Sequence, residues 1–164
     1  MEDLMHSQSN TRLIMRYMFL TLAAATLISC GRQNTSTSDE KIIFSAEGIA
    51  STEYNTGKVL FSIMKDSGNT MITNFVFTSG SRNFWHYHPS EQSLLVLDGE
   101  GYYQEEGKPK QYIKQGDVIV TPANVRHWNG ATANSVLECI TVTEHSIDGH
   151  AVQLRAVTDE EYAE

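Results

Sequence analysis

The stretch "HYHPSEQSLLVLDGEG" begins with two of the chain's six histidines, His86 and His88, one residue apart. On a β-strand successive side chains alternate faces, so these two imidazoles share a face while Tyr87 takes the other. Held about 6–7 Å apart along a strand, they can converge on a single metal ion. They fill a hydrophobic core poorly. Gln92 has the same parity if the strand resumes after Pro89, whereas Glu91, the tempting carboxylate, has the opposite one. A second stretch, "GDVIVTPANVRHWNGA", holds a third histidine, His127, followed by Trp128 and Asn129. Taken singly, each has a structural explanation: His86 and His88 as exposed strand residues, His127 as a packed core residue. His145 and His150, in "TEHSIDGHA", lie outside both stretches and read as surface residues.

Both stretches have to be carried by strands. From Lys41 onward no segment shows helical periodicity. Short β-rich runs follow one another: "IIFSA", "KVLFSIM", "MITNFVF", "NFWHYH", "SLLVLD", "GYYQEE", "KQYIK", "DVIVTP", "SVLECITV" and "AVQLRAV". Turn clusters such as Asp66-Ser67-Gly68-Asn69, Asp98-Gly99 and Gln115-Gly116-Asp117 separate them. "YYQEEGKPKQYI" is the clearest hairpin. Strands at this spacing, with this turn chemistry, predict an all-β sandwich or small barrel in a single domain.

The chain's 164 residues are enough for one domain with a real hydrophobic core. Its net charge of -8 argues against nucleic acid as a partner, because phosphate binding needs a basic face. Residues 1–29 are not read as fold. Within them "MRYMFLTLAAATLIS" has the charged start and short apolar run of a secretory signal, preceded by an upstream extension. The signal ends in Leu27-Ile28-Ser29-Cys30, which resembles the lipobox of bacterial lipoproteins. That resemblance implies cleavage before Cys30 and a lipid on its sulfur, anchoring the protein in the bacterial cell envelope. A plain signal peptide or a retained anchor is the alternative. Residues 30–40 then form a flexible polar tether, 41–157 the folded domain and 158–164 a C-terminal tail. With Cys30 lipidated, only Cys139 is left, so no internal disulfide is expected.

Spacing narrows the choice. Gly80, His86, His88, Gln92 and Gly99 fit the pattern G-x5-H-x-H-x3-E-x6-G, with Gln92 in the glutamate position. Gly116, Pro122 and His127 fit G-x5-P-x-G-x2-H-x3-N, with Asn124 for the glycine and Ala131 for the asparagine. Asn tolerates the left-handed turn for which Gly is used. The chain thus resembles the cupin superfamily, and the resemblance implies a small jelly-roll barrel. It also implies His86, His88, Gln92 and His127 as ligands of one divalent metal. Three imidazoles and an amide make an uncharged set, which leaves the ion its full Lewis acidity. Imidazole suits manganese, iron, nickel, copper and zinc alike, and the resemblance favours manganese or iron.

Within the superfamily the chain resembles single-domain cupins that include manganese-dependent hydroxynitrile lyases, and cupins associated with carboxymuconolactone decarboxylases. In those lyases the metal polarises a cyanohydrin hydroxyl while a nearby histidine removes its proton. Here Asn129 and Cys139 stand at the expected histidine positions. Asn129 cannot act as a base, and Cys139 can only as a stabilised thiolate; its plain reading is a small buried hydrophobe. Some of Phe75, Phe77, Phe84, Trp85 and Trp128 should wall the cavity. Two functions stay open: a metalloenzyme acting on a small oxygen-bearing substrate, by lyase-like or oxygen-dependent chemistry, and a non-catalytic metal-dependent domain that binds or senses a small ligand. A homo-oligomer is compatible with either.

Overall fold

Turn residues cut the chain into strands much as the pattern predicts. A computed structural model describes residues 42–46, 48–50 and 53–163, all within the unit Ser38–Glu164. The signal, Cys30 and the tether lie outside the described residues. The strands are β1 (Gly48–Ile49), β2 (Asn55–Thr56), β3 (Val59–Ser67), β4 (Thr70–Phe77), β5 (Arg82–Asn83) and β6 (His86–Tyr87). They continue with β7 (Gln92–Glu105), β8 (Gln111–Lys114), β9 (Val118–Thr121), β10 (His127–Ala131), β11 (Leu137–Glu144) and β12 (Val152–Gln153). Among the described residues, the only helix is the five-residue α1 (Asp159–Ala163).

The strands run in the order β1-β3-β4-β11-β7-β10-β5-β2, with β8 and β9 paired to β7 and β6 joining β10 to β12. This is a nearly closed jelly-roll barrel. One long strand serves both of its layers. The first residues of β7 pair with β9 and β11, and its later residues pair with β8 and β10. It turns between them at Gly99, whose φ is 77°. A Cβ there would sit 1.8 Å from the Val136 carbonyl oxygen, so only glycine fits. Inward side chains of both layers, among them Val59, Phe77, Leu94, Val96, Ile113 and Leu137, form the core.

Two segments depart from the pattern. "IIFSA" forms no strand; residues 42–46 run as a strap. The N–H groups of Ile43 and Phe44 donate to the buried carboxylate of Glu138, 2.6 and 2.8 Å away, in place of a neighbouring strand. The stretch after Val157, expected as a tail, winds into α1. Thr158 and Glu161 form a reciprocal capping box, with N–H to oxygen distances of 3.0 and 3.2 Å. This end packs outside the barrel: Val157 and Tyr162 cover Trp85 and Trp128, and the Tyr162 ring lies over the Arg82 guanidinium.

Candidate metal centre

His86 and His127 are direct partners across β6 and β10, so both side chains leave the ladder on its inner face. Their ring centroids are 4.3 Å apart. His88 keeps the parity of His86, and its ring lies 5.1 Å from His86 and 5.6 Å from His127. Each histidine brings one ring nitrogen to within 4.8 Å of the others. The second turn is tied to the first, since Asn124 N–H donates to the His88 carbonyl. Asn124 is the one described non-glycine residue with positive φ, 63°. That is the left-handed turn expected where Asn replaces Gly.

Backbone carbonyls orient all three rings. Nδ1 of His86 donates to Phe84 O and Nδ1 of His127 to Val125 O, both at 2.9 Å. Nδ1 of His88 donates to His150 O. A neutral imidazole with Nδ1 protonated keeps its lone pair on Nε2. Nε2 of His88 and of His127 is buried with no hydrogen-bond partner among the described residues. Leaving such acceptors unpaired costs about 1–3 kcal/mol each. A divalent cation fits these atoms. Burial, with repulsion from His127 and His88, holds His86 well below the usual imidazole range. Burial lowers His88 as well and brings His127 down to about 4. All three are therefore neutral at pH 7, as ligands must be.

Gln92 opens β7 opposite Thr121 of β9 and Thr143 of β11. Its amide nitrogen donates to Thr143 Oγ1 at 3.0 Å, which leaves the amide oxygen for a cation. Glu91 is exposed, on the other face. Beside Gln92, Tyr103 shares a 2.8 Å hydrogen bond with Thr121 Oγ1, and its ring lies 5.6 Å from that of His127. Burial pushes the Tyr103 phenol up to about 12, so it stays protonated.

His86, His88 and Gln92 line a cavity of about 330 Å³, at the small end of ligand pockets. Phe61, Phe75, Phe77, Ile63 and Met71 supply its apolar wall. Trp85 and Trp128 face outward, into the cluster under Val157. Asn129 lines the cavity too, locked to Asn83: its N–H donates to Asn83 Oδ1 at 2.8 Å, and Asn83 Nδ2 returns a bond of 3.0 Å to Asn129 Oδ1. Cys139 is fully buried in the apolar core and is not among the cavity's lining residues. Thr143 is level with Gln92, and Cys139 lies four residues further along β11, about 13 Å at strand rise. Burial and the Glu138 carboxylate push its thiol up to about 12.

Several residues of the site carry no sequence signal. Thr121, Thr143 and Tyr103 emerge only from strand register. His150, read as a surface residue, is exposed, yet it borders the cavity and orients His88 through its carbonyl. Gln153 reaches the cavity from β12, where it pairs with His86.

The cupin domain family matches residues 75–143. A cupin-like protein of solved structure from Thermotoga maritima is 38% identical, with a TM-score of 0.72 over 74% of this chain and 95% of that one. The chain belongs to the cupin superfamily. Among curated proteins, the (R)-mandelonitrile lyase of Granulicella tundricola is 38% identical over 87 residues, 52% of this chain and 66% of the lyase. An acireductone dioxygenase from a Sulfurihydrogenibium species is 32% identical over 60 residues, 35% of this chain and 34% of the enzyme. The chain thus spans just under two thirds of the first and about a third of the second.

Proposed function

We propose that this chain is a metal-dependent cupin of the bacterial envelope that binds one divalent ion through His86, His88, Gln92 and His127. In this reading it acts on a small oxygen-bearing substrate by lyase-like or oxygen-dependent chemistry. The observation that carries the reading is the convergence of three neutral imidazoles, each held by Nδ1, beside a phenylalanine-walled cavity. When bound, the ion supplies Lewis acidity undiminished by a carboxylate ligand. The protein's own residues hold the rings rigid through Phe84 O, Val125 O and His150 O, and keep water away with Phe61, Phe75 and Phe77. Similarity to a lyase and to a dioxygenase supports chemistry of either kind. Manganese or iron is the favoured metal. The envelope part of the reading rests on the signal-like sequence and on Cys30.

One observation favours a second reading, a binding or sensing domain without turnover. Neither Asn129, locked to Asn83, nor Cys139, buried with its thiol at about 12, supplies a general base at the cavity. Losing a positioned base typically costs about 10²–10⁴ in rate. The test loads the purified protein with manganese or iron and offers it cyanohydrins and small aromatic diols, with His127→Ala as the control. Diol turnover that His127→Ala abolishes supports the enzyme, with cyanohydrin cleavage expected to be poor. Tight ligand binding without turnover supports the second reading.

A further inference from the structure

The ladder that sets His86 against His127 continues on its far side. β12 pairs with β6 so that Gln153 lies directly opposite His86, as His127 does from β10. Residues directly opposite each other in an antiparallel pair project from the same face. His127, His86 and Gln153 thus form one row across three strands, and Gln153 lines the cavity. Its amide oxygen, Oε1, is buried and has no hydrogen-bond partner among the described residues. Such an oxygen is costly to keep unless something donates to it.

We infer that Gln153 is a substrate-positioning residue, its Oε1 accepting a hydrogen bond from a hydroxyl on the molecule bound beside the histidines. The inference rests on the metal-site reading above and narrows its substrate class. The molecule pairs an apolar body, set against Phe61, Phe75 and Phe77, with a metal-facing oxygen and an adjacent hydroxyl donor. Gln153 is not a metal ligand in this arrangement. Gln92 takes that part, and the unsatisfied Gln153 oxygen is the acceptor that discriminates. A ligand without the donor leaves that oxygen unpaired, and the penalty falls on the poorer ligand.

The test uses two neutral probes that differ by one hydroxyl, methyl mandelate and methyl phenylacetate, titrated into manganese-loaded full-length protein. Calorimetry reads their affinities, and elemental analysis reads the metal. Wild type should prefer methyl mandelate. Gln153→Met, close in shape but without the acceptor, should reduce that preference about tenfold with metal content unchanged. Gln153→Glu, which keeps an acceptor, should retain the preference. Gln153→Met should melt no lower than wild type, because it removes a buried oxygen that has no hydrogen-bond partner among the described residues. Gln153→Glu should melt somewhat lower, because it places a carboxyl group where that oxygen is buried. An undiminished preference in Gln153→Met overturns the proposal, as does wild type that prefers neither probe. Loss of metal from Gln153→Met also overturns it, since the residue then serves the ion. Failure of the underlying reading shows separately, as full metal content in His86→Ala.

Discussion

Each of the three buried histidines has one nitrogen tied to a carbonyl and one left over, and the remaining nitrogen decides what the residue is for. His86→Ala or His127→Ala should lose stoichiometric metal by elemental analysis. Gln92→Glu should keep it, since a carboxylate ligates as well as an amide oxygen. Glu91→Gln should change nothing, because Glu91 is exposed on the opposite face. Protonation gives a second check. His127 titrates at about 4 in the folded chain against 6.5 for a free imidazole. Below pH 6.5 the unfolded state therefore binds the extra proton and the folded state does not. Stability of metal-free protein should be fully present above pH 6.5 and fall as pH drops toward 4, by on the order of 3 kcal/mol for this residue. Urea unfolding at stepped pH reads that slope, which His127→Ala should reduce without abolishing, because burial lowers His86 and His88 as well. Side-chain parity and glycine spacing made these candidate ligands legible from sequence. Gln153 and His150 were not legible, because a two-residue strand such as β12 shows no period and its register exists only in the folded barrel.

At the scale of the element, β10 shows why the site needs its outer face as much as its inner one. His127 and Asn129 point in, while Trp128 and Gly130 point out. A Cβ on Gly130 would sit 2.5 Å from both Arg82 Cβ and Ser81 O, and the latter belongs to backbone. Gly130→Ala should therefore push β10 away from β5, costing about 1–3 kcal/mol in thermal or urea unfolding. Because the same strand carries His127, metal affinity should fall with it, although no ligand is altered. Alternating runs and Gly-containing turns revealed most of the strands. The helix α1 could have been found as well: Thr158 and Glu161 stand three apart, the signature of a capping box, in the stretch read as a tail. "IIFSA" misled for the opposite reason. It has strand composition, but Glu138 takes the amides that a neighbouring strand would have used.

At the scale of the whole molecule, the prediction concerns where the protein resides. Full-length protein expressed in a bacterium should partition into detergent extracts of membranes, and Cys30→Ala should leave an uncleaved, unlipidated precursor. Wild-type protein found free in the cytosol would overturn the envelope reading. The strap has a mechanical side. Any pull from residues ahead of Ile42 reaches the barrel first through two N–H groups gripping the Glu138 carboxylate. These two bonds and the one from Asn74 Nδ2 to Phe44 O yield long before the ladders that hold β11 between β4 and β7. A tug on the N-terminal end therefore peels the strap off the outside of the barrel before it strains the strands that hold the histidines.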